Sequence, residues 1–174
     1  MNDQSETFTL DKNIWTQDDF DIMGWHDATI RALALEEGSR FLKNNLVLDI
    51  DYIFKWVVSE APESVITFWV APCTMIFKNR FDLEMDFEGS NCGDLMDIAG
   101  LHLKDKVFNK DNSLLYAGLI YEWAMELHQG LISLKSDGFE QIVRRNPIYT
   151  PQQVLSMEER GGISFERTPC GINK

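Results

Sequence analysis

Arg80-Phe81-Asp82-Leu83-Glu84-Met85-Asp86-Phe87-Glu88 alternates apolar and acidic side chains without a break. A strand sends successive side chains to opposite faces, so this stretch turns Phe81, Leu83, Met85 and Phe87 to a core and Asp82, Glu84, Asp86 and Glu88 to water. Wound as a helix, the same residues would scatter around the circumference and bury acid. The segment is a half-buried strand, and its neighbours repeat the pattern. Asn45 to Phe54 puts Leu46, Leu48, Ile50 and Tyr52 on one face and Val47, Asp49, Asp51 and Ile53 on the other. Tyr121, Trp123, Met125 and Leu127 alternate with Glu122, Ala124, Glu126 and His128.

Ile30–Leu35, Val65–Phe77, Leu131–Lys135 and Phe139–Arg144 also read as strands, rich in β-branched and aromatic residues. Pro72 inside Val65–Phe77 implies a bulge or a break. Gln129-Gly130 offers a turn, and Asp137-Gly138 is a type I′ hairpin signal, so residues 121–144 are expected as a three-stranded meander. Gly89 to Lys110 reads two ways: one or two helical turns over Asp94–Leu103, or an apolar trio, Ile98, Leu101 and Leu103, covering a sheet edge. Thr16 suits the cap of a short helical turn, with Asp19 three residues on.

The chain changes character after Asn146-Pro147. Thr150 suits an N-cap, Pro151 the first helical position and Gln153 a capping box, predicting a helix over 151–160 that ends at Gly161-Gly162. The tail from Ile163 to Lys174 is expected to lie across the sheet through Ile163 and Phe165. The expected fold is mostly β with a minor helical part. It is a single domain over 1–174, an antiparallel sandwich or curved, barrel-like sheet, loosely held over residues 1–12.

A chain of 174 residues can bury roughly 70% of its unfolded surface without disulfides or metals. Cys73, Cys92 and Cys170 are an odd set without CxxC spacing, which points to neither a disulfide framework nor a zinc site. The N-terminus lacks the basic and apolar regions of a signal peptide, so a reducing cytoplasm is the expected compartment. The net charge of −12 argues against nucleic acid or an anionic membrane as partner. Residues 1–100 hold 19 acidic against 7 basic side chains, whereas residues 101–174 hold 9 of each. All the net charge thus belongs to the first part, which fits an acidic face turned to a cationic protein as well as simple solubility.

Trp25-His26-Asp27 is the most suggestive short motif, because an adjacent His-Asp pair can bind metal or move protons. The structural alternative is that His26 bonds locally, Trp25 enters the core and Asp27 caps a turn. Asp49 and Asp51, two apart on a strand and roughly 7 Å from each other, suit a divalent cation, a catalytic carboxylate pair or a solvated sheet face. Asp82, Glu84, Asp86 and Glu88 repel one another unless Lys55, Lys78 or Arg80 relieves them. Otherwise the strand lies at a sheet edge or meets a basic partner. Arg144, Arg145 and Arg160 could hold an anion, but they are expected first to answer the acidic surplus of the first half. No nucleophile has a visible base and no phosphate loop is present, so no cofactor is implied.

Phe20-Asp21-Ile22-Met23-Gly24-Trp25-His26-Asp27-Ala28-Thr29-Ile30, followed by Leu48-Asp49-Ile50-Asp51-Tyr52-Ile53, resembles small bacterial proteins that place a Trp-His-Asp element ahead of a β-rich body. Some of these resemble the immunity proteins that accompany polymorphic toxins, and Arg160-Gly161-Gly162 adds a weaker likeness. The resemblance implies a bacterial cytoplasmic binding protein and assigns no catalytic residues. Three functions follow as expectations: an acidic binding protein that neutralises a cationic partner, a metal-dependent or acid–base enzyme using His26 and Asp27 with Asp49 and Asp51, or a homo-oligomeric structural protein.

Overall fold

The computed structural model describes residues 8–38, 44–59, 65–87, 96–109 and 118–172. Ten strands follow in order: β1 (Ile14–Thr16), β2 (Thr29–Glu36), β3 (Asn45–Val58), β4 (Ile66–Phe77), β5 (Phe81–Phe87), β6 (Met96–Asn109), β7 (Gly118–Leu127), β8 (Gly130–Ser136), β9 (Phe139–Val143) and β10 (Ile148–Thr150). They pair antiparallel along the path β1-β9-β4-β3-β2-β6-β7-β8-β5, with β10 added to β4. The junction is narrow: β2 meets β6 only at Thr29–Asp97 and Ile30–Met96. There the path folds over, giving a first sheet from β1 to β2 and a second from β6 to β5.

The two inner faces share one core. Leu48, Ile50, Tyr52, Met75, Phe77 and Phe139 of the first sheet join Leu101, Trp123, Met125, Ile132 and Leu134 of the second. Trp123 is its centre, with ring centroids 6.0 Å from Phe77 and 5.5 Å from Phe139. The alternation read in β3 and β7 is the alternation observed. Strand β5 keeps it from Leu83 to Asp86, with Leu83 and Met85 against the core. The bulge between Phe81 and Glu84 turns Phe81, expected in the core, to the outer row opposite Lys135, and Phe87 is exposed. In β5, Phe81, Leu83 and Met85 are half-buried while Asp82, Glu84 and Asp86 are exposed.

Four local expectations change. Residues 96–103 belong to a 14-residue strand, not to a helix, because Leu101 and Leu103 face Met125 and Trp123 across the β6–β7 ladder. Asp137-Gly138 closes no hairpin: β8 pairs with β7 and β5, and β9 with β4 and β1, so the dipeptide carries the chain from one sheet to the other. A second crossing runs beside it from β4 to β5, and the two are tied by Lys78 N–H to Gly138 O (2.9 Å) and Asp137 N–H to Lys78 O (3.0 Å). Pro72 makes no bulge. It lies where β4 exchanges β10 for β9 as its neighbour, so its missing N–H falls between two partners.

The C-terminal helix, α1, is a single turn, Met157–Arg160, shorter than the span read from Thr150 and Pro151. Its capping box is Ser156 with Glu159, and Gly161 (φ 77°) closes it. Thr150 instead ends β10, and the stretch to Leu155 stays irregular because its groups are used elsewhere. Leu155 enters a small cluster with Ile53, Phe68 and Val70, and Gln153 reaches Asp27. The N-terminal turn is as expected, a 3₁₀ turn over Gln17–Ile22 with Thr16 and Asp19 as its capping box. No helix among the described residues is long and apolar enough to cross a membrane.

Candidate functional site

The outer face of the second sheet gathers the acids. Residues directly opposite in an antiparallel pair share a face, so the ladders place Asp105, Glu122, Lys135 and Phe81 in one row across β6, β7, β8 and β5. The next row holds His102, Ala124, Ser133 and Glu84, and a third holds Gly100, Glu126, Leu131 and Asp86. Asp82 sits at the β5 bulge with φ 47° and reaches Lys135 Nζ at 3.0 Å. His102 Nε2 lies 3.3 Å from Glu126. The three cations proposed to relieve β5 lie elsewhere: Lys55 on β3 of the first sheet, Lys78 with Glu140 and Arg80 with the Asn45 carbonyl. The strand therefore lies at an edge and keeps its charge. Glu88 lies outside the described residues.

The field of this face shows at Lys135, whose ammonium is held above its ordinary range. Its hydrogen bond to Asp82 is the largest cause, followed by the charge of Asp82 and then those of Glu122 and Asp105. A groove of about 280 Å³ runs along the first row, walled by Phe81, Val107 and Ile120 and edged by Asp105, Glu122 and Lys135.

Trp25 and His26 do what the structural alternative expected, one entering the core and the other bonding locally, whereas the Asp27 carboxylate reaches Gln153 from within a turn rather than capping it. Trp25 is buried, donates to Gln141 Oε1 at 2.9 Å and stacks on Phe20. Asp27 adopts φ 62°, a region that Asp tolerates better than most residues. Its N–H is tied to Ile98 O and its Oδ2 accepts from Gln153 Nε2 at 2.8 Å. His26 Nδ1 at 3.2 Å and His128 Nε2 at 3.7 Å both approach Asp27 Oδ1. His26 is exposed and rims a cleft of about 400 Å³ lined by Phe20, Met23, Trp25 and Leu101. Among the described residues no group of three His, Cys, Asp or Glu side chains could hold a metal ion.

Asp49 and Asp51 point to the same face, as read, but that face is covered. Both are fully buried. Asp49 accepts from Arg160 Nη2 (2.6 Å) and Nη1 (2.9 Å), from Arg144 Nη2 (2.5 Å) and from Ser164 N–H (3.0 Å). Asp51 accepts from Arg160 Nε (3.1 Å) and Leu155 N–H (3.2 Å), with Arg31 at 3.8 Å. They are the anchor of the C-terminal segment. It continues across the first sheet with Phe165 against Val47, Ile76 and Ile142, and Thr74 Oγ1 donates to Glu166 O at 2.7 Å. Burial raises the Asp51 carboxyl above its usual range, against the opposing pull of Arg160.

The four residues of the acid–base reading thus divide between an exposed rim and a buried anchor. Cys73 is buried and its thiol is pushed up, chiefly by loss of water. Reading β5 alone missed Asp105, Glu122, Glu126 and Lys135 as parts of its face. The alternation around Tyr121 already placed Glu122 and Glu126 on one side of their strand. Comparison with family models, curated proteins and solved structures produced no match for the chain.

Proposed function

We propose that the chain is a non-enzymatic binding protein that receives a cationic protein on the outer face of its second sheet. The immunity-type role, in which a bacterial cytoplasmic protein neutralises a basic toxin, is the form of that reading we favour. One observation carries it: Asp82, Glu84, Asp86, Asp105, Glu122 and Glu126 share one face, answered by Lys135 and His102. Acid gathered on one side speeds the capture of a basic partner by long-range attraction, which fades as salt rises.

The test compares two variants of equal charge against a deca-arginine peptide at low and high salt. Neutralising Asp82, Glu84, Asp86 and Glu88 to their amides is expected to weaken binding about tenfold or more, as lost steering and paired charges require. Neutralising Asp11, Asp18, Glu158 and Glu166, which are exposed elsewhere, is expected to change it far less. Equal losses in the two variants would reduce the face to unspecific charge and sink the proposal.

A further inference from the structure

The two outer faces contain similar ingredients, and the molecule itself shows how one of them is satisfied. On the first sheet, Asp49 and Asp51 stand beside the apolar side chains Val47, Ile53, Ile76 and Ile142, and the segment covering them supplies Arg144 and Arg160 together with Phe165 and Leu155. On the second sheet, Asp105 and Glu122 stand directly opposite one another. Val107 and Ile120 form the adjoining row, and Phe81 closes the far side. Val107 is 50% exposed, an apolar wall left to water beside two acids.

Two carboxylates facing each other across a ladder repel, and a cation between them relieves both. Lys135 does this only in part, since its ammonium is drawn 3.0 Å from Asp82 on the β5 side. Asp105 Oδ1 accepts from the Lys106 N–H at 2.7 Å, which holds the carboxylate at the edge of the groove.

We propose that this groove receives one arginine side chain of the cationic partner, its alkyl stem against Val107, Ile120 and Phe81 and its guanidinium against Asp105 and Glu122. The inference rests on the cationic-partner reading and adds which side chain enters. Arginine fits better than lysine for three reasons. Its planar head can face two carboxylates at once, it sheds water more easily than an ammonium, and its stem matches an apolar wall. Lys135 is then a competitor that the arriving guanidinium must displace toward Asp82.

The experiment is a backbone-amide NMR titration of the full chain at low salt with acetyl-Gly-Arg-Gly-amide and its lysine and citrulline counterparts. The arginine peptide is expected to shift residues 81, 105, 107, 120, 122 and 135, about threefold or more tighter than the lysine peptide. Citrulline should leave these signals in place. Asp105→Asn with Glu122→Gln should abolish the response, and Lys135→Met should strengthen it.

Equal responses to arginine and citrulline, shifts confined to other parts of the surface, or weaker binding in Lys135→Met would overturn the assignment. The groove and the face fail separately. If deca-arginine binding survives the Asp105/Glu122 variant but is lost with the β5 acids, the groove is wrong and the face stands. If neither variant changes deca-arginine binding, both readings fall.

Discussion

The outer faces of the two sheets differ in what lies over them. Over the first, the chain's own C-terminal segment brings guanidinium groups down onto Asp49 and Asp51 until neither acid touches water. Over the second, among the described residues, nothing of the chain covers the acids of β5 and β7. The same residue type is a structural anchor on one side and a surface charge on the other, and the distinction comes from the covering segment. Carboxylates on a strand therefore acquire their role from the third dimension, and a search for function belongs on the face the chain leaves open.

The comparison breaks most directly at Asp49. Its removal leaves Arg144 without its counter-charge and Arg160 with Asp51 alone, and losing one member of such a buried group costs about 3–5 kcal/mol. Asp49→Asn is expected to lower the urea midpoint sharply while the remaining folded protein still binds deca-arginine. If stability holds, Asp49 is not the anchor described above.

Next is Gly130, whose φ of 157° and close approach to β5 leave no room for a side chain: a Cβ would lie 2.1 Å from Asp86 O. Gly130→Ala should destabilise by more than about 1 kcal/mol, since alanine is strained at such a φ before the clash is counted. Hydrogen exchange should localise the loss to β5 and β8.

A smaller effect separates Asp51 from Glu36 and Asp19 by pH. Burial raises the Asp51 carboxyl, so its ionised form opposes folding, and that opposition is relieved as pH falls through its raised value. Glu36 is held low, mainly by its hydrogen bond from Asn45 and further by Arg167, and Asp19 is held low mainly by its hydrogen bond from Lys12. Their stabilisation is present above the ordinary carboxylate range and lost as pH falls through their lowered values. On acidification from neutral pH, the Asp51 contribution should raise stability first and the Glu36 and Asp19 contributions should lower it afterwards. Asp51→Asn should remove the initial rise, which stability measured across pH will show.

The smallest effect belongs to the open face. Amides at Asp82, Glu84 and Asp86 should leave the thermal midpoint unchanged or slightly higher, since like charges are removed from one strand. A clear fall in the midpoint would mean that these acids support the fold after all.

The strands were legible wherever one face meets water, because period-two alternation survives there: β7 shows it in full and β5 from Leu83 to Asp86. Asp49 and Asp51 were legible as a pair on one face of β3 and not as buried, since their cover arrives about a hundred residues later in the chain. The separation from Asp49 to Arg160 is 111 residues. The β6 strand was hidden for the opposite reason: His102 to Phe108 is exposed on both sides, so no buried face imposes a pattern on its sequence. Asp137-Gly138 carries the signal of a tight hairpin turn, yet the chain only bends there, and local chemistry does not say which sheet the next strand will join. The Trp25-His26-Asp27 motif announced its site without its companions, since His128 and Gln153 come from distant segments.

The long reach from Asp49 to Arg160 also has a meaning in time. A ribosome adding about 5–20 residues per second needs on the order of ten seconds to make the intervening chain. Throughout that interval β3 exists while the arginines that will seal it do not. The uncovered aspartates keep one side of the nascent hairpin of β3 and β4 hydrated, a safeguard against its pairing with other unfinished chains. The arrival of Arg160 then converts a hydrated surface into an interior, so closure of this part of the fold waits for a segment made 111 residues after Asp49.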